Sequence, residues 1–278
     1  MNRNLIKNYY LLNPTGNITL LAEKKDEMAS LSELPALASS LMELEPSAEQ
    51  VGFLSSGDAD ADICLTMAGG EFCGNASLSA AAVFEYKNHL CSAGRDYISV
   101  KVKVSGADDP VSVLLRKQGE LNYSGAVSMP PALSVSVRNF SFDGISYSLP
   151  AVEFQGITHL ICEPDSGPLY FDREIAEQAV KCWCGELGTD ALGIMQTDYR
   201  NHSIIPLVYV KSAGTLFWES SCASGTCAAG VYYADRNGGK ASLSFNEPAG
   251  KLSAEISSGG KISLHGNVVF QKVVSEDL

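Results

Sequence analysis

Basic residues are scarce in this sequence of 278 residues, with 20 Lys and Arg against 32 Asp and Glu and a formal net charge of −12 at pH 7. A nucleic-acid surface needs a dense cluster of positive side chains, and none is visible, so a nucleic-acid partner is not expected. The acidity is read as serving solubility. Long apolar runs are also missing; none approaches the roughly 20 residues that cross a bilayer, and no membrane partner is expected. Met1-Asn2-Arg3-Asn4-Leu5-Ile6-Lys7 lacks the apolar stretch of a secretory leader, so the expectation is a cytoplasmic protein. Histidine is sparse and scattered (His89, His159, His202, His265). Cys182-Trp183-Cys184 has no second cysteine pair at zinc-finger spacing, so no metal site is expected. What is present, 45% hydrophobic and 19% charged residues, suits a globular chain of two domains or one large one.

Against that background two cysteine-headed stretches stand out. The first is Gly69-Gly70-Glu71-Phe72-Cys73-Gly74-Asn75-Ala76-Ser77, followed by Leu78-Ser79-Ala80-Ala81-Ala82. The second is Ser221-Cys222-Ala223-Ser224-Gly225-Thr226-Cys227, followed by Ala228-Ala229-Gly230-Val231. Small polar residues ahead of helix formers mark a helix N-terminus. A cysteine there lies beside unpaired backbone N–H groups and the positive end of the helix dipole, which favours its thiolate. The same N–H groups suit a substrate carboxylate. Either stretch alone reads more readily as a cap with a buried cysteine. The pair suggests two thiols facing one ligand.

The chain supports that pairing by repeating its layout. A turn at Asn13-Pro14-Thr15-Gly16 precedes a strand at Asn17 to Ala22, and Met28 to Glu45 has helical spacing, with Pro35 moving its start to near Glu33. Short strands are expected at Gln50 to Ser55 and Ala61 to Met67, a helix from Cys73 to about Asn88, and strands at Tyr97 to Ser105 and Val111 to Leu115. A break spans Gly119 to Pro131. Beyond it, Gly156 to Glu163 echoes Gly16 to Glu23, and Asp172 to Cys182 reads as a helix. Strands follow at Ser203 to Val210 and Thr215 to Trp218, then the Cys222 helix, then strands at Ala241 to Phe245, Leu252 to Ile256 and Lys261 to Lys272. From Gly16 to Gly156 is 140 residues and from Cys73 to Cys222 is 149, near-equal offsets that indicate an internal duplication. Two α+β lobes with a cleft between them are expected, each lobe bringing one cysteine.

The two cysteine signatures, Cys73-Gly74-Asn75 and Ser221-Cys222-Ala223-Ser224-Gly225-Thr226, resemble those of the diaminopimelate epimerase family of cofactor-independent racemases and epimerases. Pro14-Thr15-Gly16-Asn17 and Glu49-Gln50-Val51-Gly52 resemble its N-terminal turn and early strand. Within the family the sequence is most similar to the histidine racemases of staphylopine-type opine metallophore biosynthesis, on Met1-Asn2-Arg3, Lys101 to Gly106 and Trp218-Glu219 followed by Ser221-Cys222. The resemblance implies a diaminopimelate epimerase-like α+β fold of two pseudo-symmetric lobes, each a sheet wrapped around a central helix. It implies an N-terminal lobe over 1–120 to which 266–278 returns, a C-terminal lobe over 121–265, and a homodimer.

The chemistry follows from the residues. Racemisation removes a weakly acidic α-proton and returns one from the opposite face; two opposed thiols, Cys73 and Cys222, can do this as base and acid without a cofactor. Gly74, Asn75, Ala223, Ser224, Gly225 and Thr226 would surround the substrate carboxylate. The resemblance adds Asn17, Gln50, Glu49 and Glu219 for the α-amino group. Histidine is the expected substrate, with diaminopimelate or another amino acid as the alternative. Val210-Lys211 stands where the resemblance places a Glu-Arg pair, and Ile157 and Ala191 where it places asparagines. Two other classes compete: a thiol redox protein and a non-catalytic binding relative.

Overall fold

The computed structural model describes residues 6–24, 33–93, 97–212 and 214–275, so Met1-Asn2-Arg3 and the expected helix start at Met28 lie outside the described residues. The architecture is mixed α+β and divides into two compact units, Met1–Ser128 with His265–Leu278, and Met129–Leu264.

The first unit is organised by β1 (Ile6–Pro14), β2 (Thr19–Lys24), α1 (Leu34–Leu44), β3 (Gln50–Ser56), β4 (Ile63–Met67), α2 (Gly74–Asn88), β5 (Ile98–Val104), β6 (Val111–Gly119) and β7 (Asn122–Met129). β16 (Ile262–Ser275) contributes its residues from His265 onward. Strand order runs from β1 to β7 and then to β16, which pairs back on β1, so eight strands close on themselves. Closure leaves no free strand edge to manage. α2 packs against β1, β2, β4, β5 and β6, and every residue from Gly74 to Val83 is buried. A helix surrounded in this way cannot be amphipathic, and the run of Ala and Ser lets the strands approach from all sides. α1 begins one residue after Glu33, as Pro35 near its start requires, and buries Leu34, Ala38 and Leu41.

The second unit contains β8 (Ser134–Phe142), β9 (Ile145–Phe154), β10 (Ile157–Cys162), α3 (Pro168–Phe171), α4 (Arg173–Leu187), β11 (Ala191–Asp198), β12 (Ser203–Val210) and β13 (Thr215–Trp218). α5 (Ala223–Arg236), β14 (Ala241–Glu247) and β15 (Gly250–Ile256) complete it. Its strands are ordered β15-β14-β12-β11-β10-β9-β8, with β13 paired to β12. α5 packs on β8, β9, β10, β11, β14 and β15. α4 covers β11 and β12 through a core centred on Trp183, whose ring stacks on Phe140 at 4.5 Å.

The succession of pairings repeats between the units. An antiparallel pair (β1/β2, then β9/β10) is followed by a helix, and its second strand then pairs in parallel with the strand after that helix (β2/β3, then β10/β11). An antiparallel return (β3/β4, then β11/β12) leads to the cysteine-headed helix, and a parallel pairing comes next (β4/β5, then β12/β14). A hairpin ends each series (β5/β6, then β14/β15). Among the described residues no helix is long and apolar enough to cross a membrane.

Candidate active site

Both central helices begin at a cysteine. Cys73 is the N-cap of α2 at φ −133°, ψ 114°, and Cys222 the N-cap of α5 at φ −129°, ψ 108°. The first turn is locked identically in each. Ser77 N donates to the Cys73 carbonyl at 2.9 Å and its hydroxyl donates to the same oxygen at 2.8 Å. Thr226 does the same to the Cys222 carbonyl at 2.9 and 2.8 Å.

Around Cys73 the expected residues form one hydrogen-bonded chain. Asn17 Nδ2 donates to Glu49 Oε2 at 3.1 Å, Gln50 Nε2 donates to Asn17 Oδ1, and Cys73 Sγ lies 3.2 Å from Gln50 Oε1. Gln50 Nε2 also donates to Thr19 Oγ1 at 2.6 Å, and Thr19 in turn donates to the Asn17 carbonyl. The order of donors is forced. The Asn17 amide gives its N–H to Glu49 and so turns its oxygen to Gln50, whose amide then leaves an acceptor oxygen facing the thiol. That oxygen receives the Cys73 proton. On its other side the sulfur accepts from Ala76 N at 3.4 Å, the helix-end contact that suits a thiolate. Gly74 and Asn75 are buried in the first turn of α2.

Cys222 is 6% exposed and has different company. Burial first, then Glu219 and then Glu247, push its thiol well above the usual range. Glu247 Oε2 accepts the Cys222 backbone N–H at 2.7 Å, and the single hydroxyl hydrogen of Thr226 is shared between the Cys222 carbonyl and Glu247 Oε1. Ser224 Oγ stands 3.7 Å from Cys222 Sγ and 2.9 Å from His159 Nε2. Burial pushes His159 down to about 3, so its ring is neutral. Its other nitrogen, Nδ1, is buried without a hydrogen-bond partner. An unpaired buried N–H costs more than an unpaired lone pair, which puts the proton on Nε2 and turns the Ser224 hydroxyl toward Cys222. His159 has room only because residue 193 is glycine; a Cβ there would lie 2.4 Å from Nδ1. Ala223 and Gly225 are buried in the first turn of α5.

Cys73, Asn17, Glu49 and Gln50 therefore meet in the first unit, and Cys222, Glu219, Ser224 and Thr226 meet in the second. Of the other cysteines, Cys162 is buried and pushed up to about 12, Cys184 is on the buried face of α4 with Cys182 exposed on the same helix, and Cys227 is buried within α5. Sequence reasoning missed His159 and Glu247. The signal for His159 was a polar residue inside the apolar strand Ile157-Thr158-His159-Leu160-Ile161, and for Glu247 an acid at the inner end of a strand.

The fold is shared with a hydroxyproline epimerase from Agrobacterium vitis, which superposes with a TM-score of 0.70 at 13% identity, over 100% of this chain and 95% of that one. The sequence narrows the class. The family described as "Histidine racemase CntK N-terminal domain" matches residues 7–271. A histidine racemase of Fusobacterium nucleatum subsp. nucleatum is 34% identical over 230 residues, 82% of this chain and 80% of that protein. A histidine racemase of Staphylococcus aureus is 30% identical over 260 residues, 91% of this chain and 89% of that protein. The chain belongs to the histidine racemase family.

Proposed function

We propose that this chain is an isomerase that interconverts L- and D-histidine without a cofactor, with Cys73 and Cys222 as the acid–base pair. One observation carries the reading: in a chain of the histidine racemase family, the central helix of each unit opens on a cysteine with the same extended backbone conformation. For each turnover one sulfur begins as thiolate and removes the α-proton. The other begins as thiol and gives its proton to the opposite face of the α-carbon, and the two exchange states with the hand of the substrate. The buried surroundings of Cys222 favour its thiol form. Backbone N–H groups of Gly74, Asn75, Ala223, Ser224 and Gly225, at two helix N-termini, suit the substrate carboxylate as charge develops toward the enediolate, while Thr226 holds the turn by its bond to the Cys222 carbonyl. Asn17, Glu49, Gln50 and Glu219 bring oxygen acceptors for the α-ammonium group.

A diaminopimelate epimerase-like plan of two matched lobes belongs to this reading, supported by the repeated strand succession. So do a homodimer, a cytoplasmic setting and a supply of D-histidine to an opine metallophore. A flat neutral imidazole needs an apolar wall and one or two hydrogen bonds. A second ammonium–carboxylate head needs paired charges; Val210 cannot accept from an ammonium, and Lys211 lacks the planar two-point grip of arginine.

The test is a side-by-side assay of L-histidine and L,L-diaminopimelate by chiral chromatography. Histidine is expected to show the higher kcat/KM, and a higher value for diaminopimelate would overturn the substrate. The Cys73 relay adds a further expected result. Gln50→Leu removes the acceptor facing the thiol and leaves the Asn17 and Thr19 oxygens unpaired. Stability should fall by about 1–3 kcal/mol in urea unfolding, and kcat by one to two orders of magnitude.

A further inference from the structure

We propose that Glu247 is a positioning residue that holds the backbone of Cys222 and makes the charge of that thiol depend on the charge of its own carboxyl. Glu247 closes β14, is 7% exposed, and has both oxygens engaged by α5 and its cap. Oε2 takes the backbone N–H of the cysteine at 2.7 Å, and Oε1 takes the hydroxyl of Thr226 one turn along α5. The carboxyl thus clamps both ends of the first turn, fixing the peptide from which the Cys222 side chain departs. A buried charge is tolerated only when hydrogen-bonded, and these two donors meet that need in part.

The groups packed around the carboxyl set the sign of its effect. Glu219 precedes α5 and raises both Glu247 and Cys222; Cys227, deeper in α5, is raised in turn by Glu247. No buried cation answers them in the hydrogen bonds described for Glu247. Burial carries Glu247 up to about 8, so carboxyl and thiol compete for protons in the alkaline range and titrate as a pair. When the carboxyl is ionised, the thiolate of Cys222 is harder to form and is a stronger base once formed. The first unit has a neutral residue at the comparable strand end. β5 is followed by Ser105, whose hydroxyl donates to the Glu71 carbonyl and accepts from Met67 N. The two thiols are therefore tuned by different means, Cys73 by an oriented amide and Cys222 by a carboxyl.

The inference rests on the reading that Cys222 carries substrate protons only for its kinetic arm, and the experiment separates the two. Alkylation of Cys222 by iodoacetamide, followed on its own peptide by mass spectrometry from neutral to alkaline pH, reads the thiol independently of any reaction. Glu247→Gln keeps an acceptor for the Cys222 N–H and removes the charge. The Cys222 profile is expected to move to lower pH by at least about one unit, roughly tenfold faster labelling at a fixed pH above about 8, where Glu247 is ionised, and below the Cys222 midpoint. The alkaline-rising limb of kcat for histidine should move the same way, with KM changed less than about threefold. A Cys222 labelling profile that superimposes on that of the unmodified protein overturns the inference. Should the Gln variant fail to fold by circular dichroism, Glu247→Asp carries the same test, since its carboxyl is drawn back by one methylene. A shift to lower pH supports the proposal there, and no shift overturns it. Absence of histidine racemisation with a shifted labelling profile would sink the functional reading and leave the coupling of Glu247 to Cys222 standing.

Discussion

Cys73→Ser and Cys222→Ser are each expected to lose at least about three orders of magnitude in histidine racemisation, the scale of a lost general acid or base. Serine is chosen because it separates chemistry from folding. Both cysteines occupy N-caps with extended backbone, a position that serine fills as well as any residue. Thermal unfolding should therefore be unchanged or slightly improved while turnover collapses, since an alkoxide is not formed near neutral pH. Exchange of the α-hydrogen with heavy water adds direction. Each variant retains one thiol, so washout from one enantiomer should survive better than from the other, and the preference should reverse between the two variants. Either variant racemising at close to the original rate would end the two-thiol mechanism.

Gly225→Ala should lower kcat by about 10²-fold, an effect produced by one methyl group. Residue 225 is the third position of α5, and a Cβ there would lie 2.1 Å from Met195 Sδ and 3.2 Å from Cys222 Sγ. Met195 sits in β11 with no exposure, so its side chain must repack within the core or the helix start must shift, and either displaces the turn that carries Cys222. A displacement near 1 Å at a reacting group is worth about two orders of magnitude in rate, and overpacking should cost about 1–3 kcal/mol in stability. Gly185→Ala is the control. That glycine lies inside α4 with nothing within 4 Å of the added carbon, so the change should stabilise by up to about 1 kcal/mol and leave kinetics alone. Equal behaviour of the two variants in steady-state assays would refute the steric argument at Gly225.

The elements that were legible in the sequence are those whose pattern comes from one-sided burial or from local chemistry. β5 alternates buried and exposed through Ile98-Ser99-Val100-Lys101-Val102-Lys103-Val104, and the expected Tyr97 to Ser105 brackets it. β12 and β13 fall on the expected residues, and α2 ends at Asn88 as expected. The helix expected at Asp172 to Cys182 runs on to Leu187, with Asp172 as its cap, because Gly188 in the left-handed region is what stops it. β11 was missed because Ala191 to Thr197 are all buried and show no alternation. β8 was missed for the opposite reason, with its middle exposed. β7 lies in the stretch expected as a break, where Ser124, Gly125 and Ala126 weaken the strand signal. At the candidate site, motif chemistry pointed to the cysteines and to the Asn17-Glu49-Gln50 set. His159 and Glu247 came into view only through folding, since each touches the Cys222 turn from a strand distant in sequence.

The return of β16 to β1 has a consequence for how the protein is made. The Thr15 hydroxyl bonds the carbonyl of Asn267, 252 residues later. At a ribosomal rate of about 5–20 residues per second, β1 would wait roughly 10–50 s after its own emergence for the strand that covers its open edge. The whole of Met129–Leu264 is translated in that interval, so the second unit can fold on the nascent chain while the first remains an unclosed sheet. An unpaired edge of that kind recruits other strands. Slow synthesis or truncation ahead of β16 should send the protein into inclusion bodies rather than yield a shortened enzyme, and the hazard lies in the half whose buried helix carries Cys73.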